Sequence, residues 1–378
     1  MSASARTWLE RIRALPIETP DGRPIKIMNV CGGHERSITM AGLRKALPGT
    51  IELVPGPGCP VCICPEEDIF EAIQLALHEE IILVAFGDML RVPVNVAKAE
   101  ARTLEQAKAQ GADIRPIASP TEAVSIARDN PDTEVVFFAA GFETTTAPVA
   151  AMLAEGVPDN LSILLSGRLT WPAVAMLLES GTPGFDALIA PGHVSTVMGP
   201  EEWEFVVNNH RIPAAVAGFT PESLLAAMYS TLRQLKEKRC FLDNCYPQLV
   251  RPGGNKSAQA HLASTMQVVD ANWRGIGIIP ASGYQLSDIY QSHDARVRFP
   301  SYADDARKRA GQMPPGCDCA QVVLGKIYPN QCRLFGTACK PRNPIGPCMV
   351  SDEGACRIWW SAGIREPATP EEREETLA

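Results

Sequence analysis

Ile25-Lys26-Ile27-Met28-Asn29-Val30 runs directly into Cys31-Gly32-Gly33-His34-Glu35. The first stretch is a short apolar run with little polar alternation, as a strand covered on both faces of a parallel sheet reads. The second sets a thiol, two glycines, an imidazole and a carboxylate just past that strand's end. In open α/β sheets, ligands bind in the crevice beyond the carboxyl ends of the strands. One junction therefore speaks for a fold class and for a place where chemistry happens.

Working outward, the same pattern recurs. Apolar runs at Ile51–Val54, Ile81–Phe86, Asp113–Ile117, Glu134–Ala139, Leu161–Leu165, Ala187–Ala190 and Ala214–Ala217 read as further strands. Between them, apolar residues three and four apart predict helices at Ile38–Leu47, Glu66–Leu77, Thr121–Arg128, Thr145–Glu155 and Pro221–Lys238. Ser119-Pro120-Thr121-Glu122 has the form of a helix start. Alternating strands and helices over this length predict doubly wound α/β architecture. The number of strands suggests two such units, joined near residues 115 and 210. After about residue 300 the periodicity fades and Pro, Gly and Cys become frequent, which predicts a small metal-organised module. The tail REPATPEEREETLA is charged and is expected to be disordered.

Composition narrows the classes of function. The chain has 378 residues, 46% hydrophobic, with a formal net charge of −8 and no cluster of Lys and Arg. That argues against nucleic-acid binding, which needs cations to neutralise phosphates. The N-terminus mixes charges into its apolar positions, unlike a signal peptide, and no stretch approaches the roughly 20 apolar residues of a membrane span. A cytoplasmic protein is expected, without membrane contact. Twelve cysteines are then notable, because cytosolic thiols are kept reduced and such richness points to metal binding or redox work. There is no P-loop, no dinucleotide-binding glycine fingerprint and no hydrolase nucleophile elbow.

The motifs that follow strands carry the chemistry, and several keep two readings. Cys31 and His34 are a soft thiolate and an imidazole, either metal-directed or a buried cysteine beside a satisfied histidine. A helix starting nearby would lower the Cys31 pKa. Gly56-Pro57-Gly58-Cys59-Pro60-Val61-Cys62 contains a C-x-x-C, suited to a reversible disulfide or to two ligands of one metal. The redox pair is favoured, since no second C-x-x-C completes a zinc site. Glu143, in Gly141-Phe142-Glu143-Thr144-Thr145, either binds a polar ligand or is an acidic first-turn residue of a helix. His193, in Pro191-Gly192-His193-Val194-Ser195, either gives a proton or hydrogen bond in the cleft or is structural. Cys317, Cys319, Cys332, Cys339, Cys348 and Cys356 have wide, irregular spacings that fit zinc fingers poorly and favour an iron–sulfur cluster.

Taken together, CGGHE, GPGCPVC, GFETT, APGHVS and the C-terminal EGAC resemble the HypD family of hydrogenase maturation factors, in the same order from about residue 25 to 360. The resemblance implies two α/β domains around a cleft plus a [4Fe-4S] domain. On this chain that maps as residues 20–115 with 211–285, residues 116–210, and residues 1–19 with 286–378. It implies a role in building the Fe(CN)2CO unit of [NiFe]-hydrogenases, with a small HypC-type chaperone and a cyanide donor of the HypE/HypF type as partners. Cys31 would hold iron with His34 beside it, and Cys59 and Cys62 would be the redox pair. Cys319, Cys332, Cys339 and Cys356 would hold the cluster. Family members often carry a second histidine where this chain has Arg36, and Cys64 is an extra thiol able to enter disulfide exchange. The competing class is a cluster-dependent thiol–disulfide reductase, and behind it a zinc-stabilised binding module.

Overall fold

The computed structural model describes residues 2–181, 184–307 and 313–369. The last nine residues of the charged tail lie outside the described residues. All eight apolar runs form strands: β1 (Ile25–Asn29), β2 (Ile51–Pro55), β3 (Ile81–Phe86), β4 (Asp113–Ile117), β5 (Glu134–Gly141), β6 (Leu161–Arg168), β7 (Ala187–Pro191) and β8 (Ala214–Ala217). Three more follow: β9 (Leu242–Asn244), β10 (Met266–Trp273) and β11 (Gly277–Leu286). They build a five-stranded sheet in the order β2-β1-β7-β8-β9 and a six-stranded sheet in the order β10-β11-β6-β5-β3-β4. Every neighbouring pair from β1 to β9 is parallel. The α/β fold class is as expected, with helices covering both sheets and a cysteine-rich region near the C-terminus.

The sheets divide the chain at points other than 115 and 210. β3 pairs with both β4 and β5, so the second sheet begins at residue 81. β7 returns to the first sheet beside β1, before residue 210. β10 and β11 extend the second sheet as an antiparallel hairpin against β6. The N-terminal helix Ala3–Ala14 packs on the helix Pro221–Lys236 of the first sheet, with Trp8 and Tyr229 rings 5.4 Å apart, rather than joining the cysteine module. The reason is physical: strands buried on both faces are all equally apolar, so their composition does not say which of them pair. The hairpin is half-solvated, with Val268 and Ile278 exposed and polar residues between, and reads weakly as strand for that reason.

Candidate metal and thiol centre

β1 ends at Asn29, and Cys31 is the N-cap of the helix Gly32–Met40. The loop after β2 closes on this point: the Gly56 N–H donates to Asn29 O at 2.8 Å and the Gly32 N–H to Gly58 O at 2.9 Å. Gly58 lies so close that a Cβ there would sit 2.3 Å from Cys31 Cα, and Gly32 meets Glu353 as tightly, at 2.4 Å from its Cβ. No larger residue fits at either place, and both contacts draw distant segments onto Cys31. The first continues into Cys59 and Cys62, which are joined in a disulfide that spans the short helix Pro60–Ile63.

These segments enclose a cleft of about 10 Å³ lined by Cys31, Glu35, Cys59, Val322, Cys348 and Glu353 among others. That is room for about one water. Cys31 and Cys59, expected to cooperate, do share this space. Two further members join them: Cys348, one of the six C-terminal cysteines, and Glu353, which was not singled out from the sequence. Glu353 lies inside the EGAC motif, but nothing in the chain pairs it with a cysteine more than 300 residues earlier.

The electrostatics correct one expectation. The helix does start at Cys31, and the backbone amides of Gly33 and His34 favour its thiolate, but burial outweighs them and the nearby Glu353 carboxylate adds to it, so the thiol is pushed up to about 12. Glu353 is itself raised to about 7, first by burial and then by Asp88. Asp88 accepts a hydrogen bond from the Ser351 hydroxyl at 2.9 Å. His34 is fully buried, and its Nε2 lies 3.0 Å from Ala217 O. Burial lowers its pKa to about 4. The ring is therefore neutral at pH 7, with Nε2–H donating, which leaves Nδ1 as a lone-pair acceptor. Among the described residues Nδ1 has no partner. His34 and His193 flank Phe219, at ring distances of 4.9 and 3.8 Å. Exposed His193 thus reaches the CGGHE helix through an aromatic ring and does not line the cleft.

Glu143 sits elsewhere. It begins the helix Glu143–Glu155 at the end of β5, fully buried, and accepts from Thr170 N–H at 2.6 Å and Thr170 Oγ1 at 2.7 Å. Cys64 is also enclosed, with Sγ 3.4 Å from Ser166 Oγ. Glu35 is the motif residue with most partners. It accepts from Arg44 Nη2 at 2.7 and 2.6 Å, from the Trp359 indole at 2.9 Å and from Asn29 at 3.1 Å. Trp359 stands one turn from Cys356 on the helix Ala355–Ser361, so Glu35 ties the Cys31 helix to the cysteine module.

In that module Cys319, Cys332, Cys339, Cys348 and Cys356 are buried and Cys317 is half-buried. The Cys317 and Cys319 sulfurs both lie against Gly346, and Cys319, Cys348 and Cys356 are close enough to shift one another's pKa. Cys332 and Cys339 both feel the charge of Cys317. Ile345 N–H donates to Cys339 Sγ at 3.3 Å. Among the described residues, no three His, Cys, Asp or Glu side chains are grouped to hold a single metal ion. Buried cysteine sulfurs gathered in one module are consistent with metal binding. Among the described residues, no helix is long and apolar enough to cross a membrane.

The family model for HypD, described as "Hydrogenase formation hypA family", matches residues 3–363. Hydrogenase maturation factor HypD2 of Bradyrhizobium diazoefficiens is 39% identical over 361 residues, 93% of this chain and 93% of that protein. Hydrogenase maturation factor HypD of Azotobacter vinelandii is 38% identical over 375 residues, 97% and 96% of the two chains. Its namesake in Escherichia coli K12 is 38% identical over 358 residues, 93% and 92%. With the motifs in place, and likeness at this level along nearly the whole length, the chain belongs to the HypD family of hydrogenase maturation factors.

Proposed function

We propose that this protein is the scaffold on which the Fe(CN)2CO unit of [NiFe]-hydrogenases is assembled, and that its thiols feed electrons to that work. The observation that carries the reading is the single cleft shared by Cys31, Cys59, Cys348 and Glu353. Iron is the cargo, and Cys31 supplies the soft anionic anchor that strong-field ligands require on ferrous iron. Without cargo, burial and Glu353 keep the Cys31 thiol protonated. Binding iron displaces that proton. Glu353, with its pKa near 7, is the adjacent group that takes it up.

Cys317, Cys332, Cys339 and Cys356 are the ligands we assign to a [4Fe-4S] cluster. Cys317 takes the place of Cys319 in this set because Cys319 neighbours Cys348, which faces the cleft. The cluster supplies electrons one at a time. Cys319 and Cys348 then form a dithiol beside the Cys59–Cys62 disulfide. In thiol–disulfide exchange the Cys59–Cys62 bond breaks, a Cys319–Cys348 bond forms, and two thiol protons pass to Cys59 and Cys62. A small HypC-type chaperone completes the iron site and a HypE/HypF-type system delivers cyanide, in the cytoplasm where thiols stay reduced.

The test is infrared and visible spectroscopy on anaerobically purified protein. Cys31→Ala is expected to lose the Fe–CN bands while keeping the broad visible absorption of the cluster and the fold. Normal bands in that variant refute the anchor. The Cys59–Cys62 disulfide also serves a second reading, a cluster-dependent thiol–disulfide reductase. That reading calls for turnover on a protein disulfide with no Fe–CN bands in the parent protein.

A further inference from the structure

Asp88 has no part in the scheme above, although hydrogen bonds link it to the residue that lies over Cys31. It stands on the short helix Gly87–Arg91 that follows β3 of the second sheet. Asp88 is exposed, and its carboxylate accepts from the Ser351 hydroxyl at 2.9 Å. Ser351 is buried, and its Oγ accepts in turn from the Glu353 N–H at 3.1 Å. One hydroxyl therefore donates outward to Asp88 and accepts inward from Glu353. The Gly354 N–H donates to Ser351 O at 3.0 Å and closes residues 351–354 into a turn.

That turn shuts the cleft. A Cβ at Gly32 would meet Glu353 Cβ at 2.4 Å and Glu353 O at 2.5 Å, so residue 353 rests on the backbone next to Cys31. The space left, about 10 Å³, takes about one water. Iron with its diatomic ligands is larger than that, so the cleft must widen before cargo reaches the thiol. The rest of the module has ties to the same short helix that do not pass through Asp88. Arg91 Nη2 donates to Pro341 O at 2.8 Å, and Met89 is buried in one core with Met349 and Val350. Freeing the Asp88 tie leaves those contacts in place, so the turn can open locally without unfolding what surrounds it.

We infer that Asp88 is a positioning residue for the Cys31 site: through the Ser351 hydroxyl it pins the turn 351–354, and with it Glu353, over Cys31, and release of that hydrogen bond admits the cargo. The inference rests on the scaffold reading for the identity of the cargo. The pinning itself is a property of the protein alone and is tested without iron.

The test is alkylation of the full-length, anaerobically purified protein with iodoacetamide, followed by peptide mass spectrometry. The quantity read is the labelling rate of Cys31 relative to that of Cys240, which is half-buried and packs in a separate core. Asp88→Ala and Ser351→Ala are each expected to raise this ratio by about tenfold, the order expected from losing one hydrogen bond to a charged group. Asp88→Asn keeps an oxygen acceptor for Ser351 and is expected to stay within a few-fold of the parent. General loosening of the fold would speed both cysteines and leave the ratio unchanged. An unchanged ratio in Asp88→Ala and Ser351→Ala overturns the inference, and so does an Asp88→Asn variant that labels as fast as Asp88→Ala. Where Asp88→Ala does not fold, the milder Ser351→Ala decides by the same ratio. Absence of Fe–CN bands in the parent defeats the scaffold reading instead, and that result is independent of the labelling rates.

Discussion

Glu143 begins its helix with a carboxyl that water does not reach. Burial raises it to about 7, against the pull of both Thr170 hydrogen bonds. The unfolded chain releases this proton near pH 4.5, so between about 4.5 and 7 the folded state binds more protons than the unfolded one. Stability therefore falls as pH rises through that window. Glu143→Gln keeps an acceptor for the Thr170 N–H and removes the buried charge. Its advantage over the parent in urea unfolding should be near zero at pH 4.5 and grow as pH rises toward 8. An advantage that does not change with pH contradicts this account. At this scale the sequence discloses the rare residues and conceals their surroundings. Cys31, Cys59 and Cys62 stand out because thiols beside glycines after strands are uncommon. That Glu353 lies against Cys31, or that burial overrides the helix start there, depends on contacts between distant segments, which no local pattern records.

The helices and strands show a different balance. Runs such as Val135, Val136, Phe137 and Phe138 announce β5 because a strand buried on both faces must be apolar throughout. Which sheet it enters is decided by register with β3 and β6, and that information is long-range. The N-terminal helix Ala3–Ala14 is a case in point. Its Ala5, Leu9 and Ile12 are buried in the core of the first sheet, together with Leu224, Leu225 and Met228. Ile12→Ala should cost about 2–4 kcal/mol of stability in denaturant unfolding. Iron and sulfide content should stay at the parent's level, because the buried face of this helix belongs to the first sheet's core. A loss of cluster in that variant restores the grouping of residues 1–19 with the C-terminal segment.

At the scale of the whole molecule, the Cys31 site exists only because three bodies meet. The first sheet brings Cys31 on the end of β1. The segment that crosses to the second sheet brings Cys59 and Cys62 on the helix Pro60–Ile63. The cysteine module lays Cys348 and Glu353 over both, and its cysteines share one continuous core with Ile69, Leu83 and Phe138. A core common to module and sheet fixes sulfurs at defined spacings, which a module on a flexible tether could not do. The wide cysteine spacings do not say which four thiols would hold the proposed cluster; that is a property of this assembly. Cys348→Ala and Cys317→Ala separate the roles. Cys317→Ala should lose most of its iron and sulfide. Cys348→Ala should keep them, yet its Cys59–Cys62 disulfide should stay closed when dithionite reduces the cluster, as read by mass-tagging of free thiols. In the parent the same treatment opens that disulfide. The assignment of Cys348 as the link fails if the disulfide opens equally in both proteins.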